Sequence, residues 1–176
     1  MDSKINKNLA IPLQSIEGGQ LYYEFKVFFG ELARKTDKKF PNEIFVKAHI
    51  EKADKDYLIR INIYTTARLI CDRCAEEFSK NIAEEITVLS SFKKDQVNLD
   101  MSNEIKLLSA QSGSINITQE VLDQLILSIP QKVLCKKDCK GLCSKCGANL
   151  NRTSCKCKKN YIDPLWKKLQ DIDFND

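Results

Sequence analysis

Between residues 44 and 51, Ile44, Val46, Ala48 and Ile50 alternate with Phe45, Lys47, His49 and Glu51. A period of two puts one set on a buried face and the other outside, so the spacing predicts a strand. After a turn at Ala53-Asp54-Lys55-Asp56, a longer run places Ile59, Ile61, Ile63, Thr65, Ala67 and Leu69 on one face, with Arg60, Asn62, Tyr64 and Arg68 opposite. Its β-branched content favours strand over helix. A third run, Phe78 to Leu89, repeats the alternation through Ile82, Ile86 and Val88, and the three together read as an antiparallel meander. Leu21 to Phe29 fits two patterns. Leu21, Tyr23, Phe25, Val27 and Phe29 suit a strand, whereas Leu21, Phe25, Phe28 and Leu32 suit a helix; we favour the strand. The polar stretch Lys93 to Asn103 is expected to be a loop.

Helical spacing appears twice. Thr118 is the expected N-cap of a helix whose face is Val121, Leu122, Leu125, Ile126 and Ile129, and Pro130 stops it. Asp163-Pro164 opens a second, with Leu165, Trp166, Leu169 and Ile172 as its apolar stripe. The expected fold is α+β: an antiparallel β-meander or partly closed barrel covered by a short helix. Residues 1–130 would form this β-rich domain, and residues 131–176 a cysteine-rich tail ending in the second helix.

Length changes little in this picture, since 176 residues suit one core plus an appendage. No apolar h-region follows Lys4 and Lys7, and nowhere do 18 apolar residues run together, so the expectation is a cytoplasmic protein without a membrane span. Charge is more informative. Residues 131–159 hold nine Lys or Arg and one acid, Asp138, a net of +8 within a chain of formal charge +4. The rest of the chain is therefore −4, and the tail is basic relative to the body.

Eight cysteines could form a disulfide framework or bind metal, and reduced thiols in a cytoplasmic setting favour metal. In Cys143-Ser-Lys-Cys146-Gly147 the glycine permits the positive φ of a tight knuckle that turns amides toward sulfur. Cys155 and Cys157 are near enough to fold back and complete that set. Cys135 and Cys139 would then join Cys71 and Cys74, fastening the tail to the end of the second strand. Two closed four-thiolate sites suit two structural zinc ions, because tetrahedral thiolate coordination leaves no open position for water. Free core cysteines, a redox pair and an iron–sulfur cluster are the alternatives.

Catalytic readings find little. His49-x-Glu51 with Cys71-x-x-Cys74 superficially matches a zinc deaminase signature, but Ile70 stands where that signature has proline, and His49 and Glu51 fall on a polar strand face, which reads as a solvated histidine. Gly18-Gly19 makes no phosphate loop, and a single His leaves no histidine-based triad with a second base. The chain reads as a non-enzyme without a small-molecule substrate. A thiol redox protein or sensor using Cys71 and Cys74 is the competing function. Lys136, Lys137, Lys140, Lys145, Arg152, Lys156, Lys158 and Lys159, interleaved with the thiols, are candidate RNA contacts; otherwise they offset thiolate charge and keep a metal loop soluble. Tyr161 and Trp166 could stack on bases, though Trp166 at helical spacing suits a core.

Arg68-Leu69-Ile70-Cys71-Asp72-Arg73-Cys74 ends a long strand, and Ile115-Asn116-Ile117-Thr118 opens a helix that closes at Ile129-Pro130. The run from Cys135 through Cys139, Gly141, Cys143, Cys146 and Gly147 to Asn151 follows, and then Asp163-Pro164-Leu165. This order of motifs resembles the YceD family, across roughly Ile11 to Leu169. Members of that family, in bacteria and plastids, are implicated in accumulation of large-subunit ribosomal RNA. The resemblance implies an assembly or RNA-stability factor whose partners are large-subunit ribosomal RNA or the pre-ribosome, or a ribosomal protein. It carries over no catalytic residue.

Overall fold

The structure is a computed structural model that describes residues 8–13, 19–33, 37–53, 56–91, 104–107 and 113–157. Its centre is a five-stranded sheet built from β2 (Gln20–Phe28), β3 (Glu43–Ala53), β4 (Asp56–Ile70), β5 (Glu77–Ser91) and β6 (Glu104–Leu107), in that spatial order. A short ribbon pairs β1 (Ala10–Pro12) with β7 (Ser114–Asn116), and two helices complete the fold, α1 (Phe29–Ala33) and α2 (Thr118–Leu127).

The alternation along β3 and β4 acts as anticipated. Ile44, Val46, Ala48 and Ile50 are buried, as are Ile59, Ile61, Ile63, Thr65, Ala67 and Leu69, and the register pairs Val46 with Ile63 and Ile50 with Ile59. On the β4 face, Ile59, Ile61, Ile63, Ala67 and Leu69 are at most 4% exposed, so a one-residue slip would place the whole set in water. Helix α2, helix α1 and the β1–β7 ribbon supply Val121, Leu122, Leu125, Phe29, Leu32, Leu9, Ile11 and Ile115 to the same core. The opposite face of the sheet carries Lys26–Glu43, Lys47–Glu24 and Arg60–Glu51 ion pairs at 2.9, 2.9 and 3.0 Å.

The expected meander is present: β2, β3, β4 and β5 pair antiparallel in sequence order, and among the described residues the sheet stays open and does not close into a barrel. The short β6 adds to its edge in parallel with β5. Other expectations need correction. The strand expected to reach Phe29 stops at Phe28. The chain then turns into α1, which buries Phe29 and Leu32, so both patterns seen in that stretch are used in succession. Thr118 does not cap α2. It is the first helical residue, its N–H donating to Asn116 Oδ1 at 2.9 Å while its hydroxyl accepts the Leu9 N–H at 2.9 Å, because the segment before the helix is already tied to the start of the chain. Ile126 is 58% exposed. At about 100° per residue it lies roughly 90° from the centre of the Val121–Leu122–Leu125 face. The helix ends at Leu127, with Ser128 as C-cap, and Ile129 packs partly buried against the same core from just beyond it. The expected loop at 93–103 and the expected helix from Asp163 lie outside the described residues.

What positions the candidate site is the hairpin of β4 and β5, each 15 residues long. At about 3.3 Å per residue each strand runs for nearly 50 Å. Ile70 pairs with Glu77, and the six-residue connection between them, Cys71 to Glu76, is a cysteine knuckle in place of an ordinary turn.

Candidate metal centres

Two knuckles share one backbone geometry. In the hairpin turn, the Cys71 N–H donates to the Glu76 carbonyl and the Ala75 N–H to the Cys71 carbonyl, both at 2.9 Å. In the tail, the Cys143 N–H donates to the Ala148 carbonyl and the Gly147 N–H to the Cys143 carbonyl, both at 2.8 Å. The residue after the second cysteine is left-handed in each, with φ of +55° at Ala75 and +70° at Gly147. Glycine takes that conformation freely, whereas alanine is strained by its Cβ, so the first knuckle carries a strain the second avoids.

All eight cysteines are drawn into two sets of four: Cys71, Cys74, Cys135 and Cys139, and Cys143, Cys146, Cys155 and Cys157. Within each set the Sγ atoms lie within 4.8 Å of one another. In the first set, Cys71 Sγ is 3.8 Å from Cys139 Sγ and Cys74 Sγ is 3.7 Å from Cys135 Sγ. A zinc ion with Zn–S bonds of about 2.3 Å sits in a sulfur tetrahedron with edges of about 3.8 Å, so the donor set fits a four-thiolate metal centre.

The first set is deeply buried, with Cys71, Cys74 and Cys139 at 1%, 2% and 3% exposure and Phe78 and Leu134 packed against them. Phe78 also touches the main core, so the two apolar clusters are continuous through it. Backbone bonds stitch tail to hairpin. The Asp72 N–H donates to the Val133 carbonyl at 2.8 Å, and Asp72 Oδ2 accepts the Val133 N–H at 2.6 Å. Arg73 donates through Nη1 to the Cys139 carbonyl at 2.9 Å, and its own carbonyl accepts the Leu142 N–H at 3.1 Å. Gly141, at φ +75°, has little room for a side chain, since a Cβ there would stand 3.1 Å from the Arg73 carbonyl oxygen.

The thiols are unevenly poised. Burial opposes ionisation of Cys71, but backbone N–H groups of Cys135, Cys74 and Arg73 outweigh it and lower its pKa to about 6. Burial, then the neighbouring Cys139 sulfur, raises Cys135 to about 12. Cys139 is also buried, yet hydrogen bonds from the Asn151 amide and the Gly141 N–H bring it below the usual thiol range. In the second set, the Cys146 and Lys145 amides lower Cys143 to about 6, while the Cys146 sulfur and burial raise Cys157 to about 12. In each set the surroundings favour the thiolate at one cysteine and oppose it at another, and a cation held by all four sulfurs would favour the thiolate at every one.

The match that decides the family spans both sets: a model described as large ribosomal RNA subunit accumulation protein YceD covers residues 59–173, about two thirds of the chain. The chain belongs to the YceD family. Among its relatives, a plastid YceD homologue of Arabidopsis thaliana, described as a large ribosomal RNA subunit accumulation protein, is 24% identical over 78% of this chain and 51% of its own length. The corresponding protein of Zea mays is 42% identical over 32% of this chain and 20% of its own. A Mycobacterium leprae protein described as uncharacterized is 24% identical over 70% of this chain and 56% of its own. The chain thus spans about half the length of the mycobacterial and Arabidopsis relatives. No solved structure matches.

Of the candidate RNA contacts in this YceD chain, Lys136, Lys137, Lys140, Lys145, Arg152 and Lys156 are exposed around the two sets, and Lys158 and Lys159 lie outside the described residues. Arg152 is engaged by Glu76 of the hairpin, Nη2 to Oε1 at 2.6 Å. Tyr161 and Trp166 also lie outside the described residues. His49 joins neither cysteine set. It is stacked on Tyr22 with ring centroids 4.3 Å apart and its side chain is only 19% exposed, so it is a covered strand residue and not a solvated one. Sequence reasoning missed the roles of Asp72, Arg73 and Asn151 in joining tail to hairpin. All three lie in the motifs that carry the family resemblance, but their hydrogen bonds span 61, 66 and 12 residues, respectively, and spacing along the chain does not reveal that role.

Proposed function

We propose that this chain is a non-catalytic factor in large ribosomal subunit biogenesis, acting in a reducing, cytoplasmic setting, in which two structural zinc ions order a basic tail that contacts ribosomal RNA. The observation that carries the proposal is the clustering of exposed cations on a small cysteine-held module: Lys136, Lys137, Lys140, Lys145 and Lys156 all surround the two sets. Zinc is favoured by the all-thiolate donors and the tetrahedral spacing. A zinc ion with four thiolates carries −2, so the +8 of residues 131–159 would still leave +4 after both sets are filled. Relatives described as large ribosomal RNA subunit accumulation proteins supply the biological setting. Among the described residues no helix is long and apolar enough to cross a membrane.

The redox reading is weaker on this geometry. Cys71 and Cys74 are 1% and 2% exposed, whereas a thiol that exchanges with a partner must be reached. Four-thiolate sites also leave no open coordination position for a substrate.

Zinc content by mass spectrometry, combined with crosslinking to ribosomal RNA in extract, tests the proposal. Two ions per chain and crosslinks from the tail lysines are expected. Reversing the charge of Lys136, Lys137 and Lys140 should weaken RNA retention and flatten its salt dependence by about 0.7–0.9 in log–log slope for each phosphate no longer neutralised. Retention unchanged by that triple substitution would remove RNA contact from the tail and leave a ribosomal protein as the receiver.

A further inference from the structure

Asn151 lies between Cys146 and Cys155, in the loop that closes the second cysteine set, yet its side chain serves the first. Its Nδ2 is 3.3 Å from Cys139 Sγ, and its Oδ1 accepts the Lys140 N–H at 2.9 Å, so the carboxamide grips both a first-set ligand and the residue that follows it. The amide is itself fixed from within the second loop. Asn149 Oδ1 accepts from Asn151 Nδ2 at 3.0 Å and from the Asn151 backbone N–H at 2.9 Å. The Asn149 carbonyl is capped by the Arg152 and Thr153 N–H groups at 3.1 and 3.0 Å, and the Leu150 N–H donates to the Gly141 carbonyl at 2.9 Å. The loop that must be ordered to hold this amide in place is therefore the loop that Cys143, Cys146, Cys155 and Cys157 enclose.

We infer that Asn151 couples the two metal centres: closure of the second set aims its amide at Cys139 of the first and tightens metal binding there. An N–H donor to a metal-bound thiolate disperses its charge and fixes its orientation, and removing such a partner commonly costs 10–100-fold in metal affinity. With the second set open, the Asn149–Asn151 turn keeps its bonds to Cys139, Lys140 and Gly141 but loses the cysteine closure behind it, and ordering the loop for those bonds alone is less favourable. Linkage makes the effect reciprocal, so an ion in the first set strengthens the second by the same factor. Asn151 is a positioning residue in this scheme and not a ligand. The inference rests on the metal reading above.

The test uses the full chain in buffers of fixed free zinc, with residue-resolved alkylation reporting protection of Cys135 and Cys139 and circular dichroism confirming that the sheet is intact. Cys143→Ser with Cys146→Ser should raise the free zinc needed to protect Cys135 and Cys139 by about 10–100-fold. Asn151→Ala alone should produce a shift of the same size, and adding it to the Cys143→Ser, Cys146→Ser background should shift the midpoint little further. A wild-type midpoint in Asn151→Ala, or a full additional shift in the combined variant, overturns the coupling while leaving two independent zinc sites in place. No protection at any zinc level overturns the metal reading together with the coupling.

Discussion

The two cysteine sets use the same knuckle but stand on different foundations. The first joins Cys71 and Cys74, at the tip of a hairpin, to Cys135 and Cys139, and its close sulfur pairs are 68 and 61 residues apart in sequence. The second is local, from Cys143 to Cys157, and its cysteines are half-buried or exposed. Chain length alone separates them little. A roughly fourfold longer loop adds only about 1.2 kcal/mol of closure entropy. Burial separates them more, because the first set has Phe78 and Leu134 packed on it, while the second is more open to solvent. One set fastens the tail to the end of the long hairpin; the other closes a loop of the tail on itself.

The sharpest way to break this contrast is to remove metal from both. Chelation should leave amides of β3 and β4 protected from hydrogen exchange while residues 133–157 lose protection, since structural zinc sites contribute on the order of 10–16 kcal/mol to small peptides that depend on them. Loss of protection throughout the sheet would show that the core also depends on metal. The next largest effect distinguishes the sets by single substitution. Cys139→Ser, at a site 3% exposed, should release one ion and lower the thermal midpoint by several degrees, about 2–4 °C per kcal/mol for a chain of this size. Cys146→Ser, at an exposed position, should release one ion and leave the midpoint of the sheet nearly unchanged.

Smaller effects probe the backbone. Gly141→Ala should destabilise by more than the roughly 1–2 kcal/mol expected of a left-handed alanine, because its Cβ would meet the Arg73 carbonyl, whereas Gly147→Ala, with open space around it, should incur the conformational cost alone. Ala75→Gly should stabilise the hairpin knuckle by up to about 1 kcal/mol, read as a shift in the denaturant midpoint. The smallest effect is kinetic. The backbone amides that lower Cys143 to about 6 act only in the folded knuckle, so with the tail released by chelation Cys143 and Cys157 should alkylate at equal rates at pH 7, read by mass spectrometry. Labelling of Cys143 well before Cys157 would show that the knuckle keeps its fold without metal.

Much of the sheet was legible in the sequence because β3, β4 and β5 each carry one buried face over many residues, and that produces a clear period of two. The ribbon of Ala10–Pro12 with Ser114–Asn116 and the parallel strand Glu104–Leu107 were not, since three or four residues are too few to show a period and their pairing depends on partners far along the chain. At the candidate metal centres, cysteine spacing reveals the second knuckle through Gly147. The first is fainter because Ala75 occupies the left-handed position where glycine would have announced it. Asn151 closes the tail motif, yet its role could not be read, because an asparagine in a polar loop carries no mark of the sulfur it will meet.

The hairpin turn between Ile70 and Glu77 has a consequence for the order in which the chain can fold during synthesis. Cys135 follows Cys74 by 61 residues, so at about 5–20 residues per second it is added roughly 3–12 s later. Through that interval the two longest strands have their own sequence at the turn but not its full set of ligands. The nascent chain carries an open dithiol at the hairpin tip until most of the protein has been made.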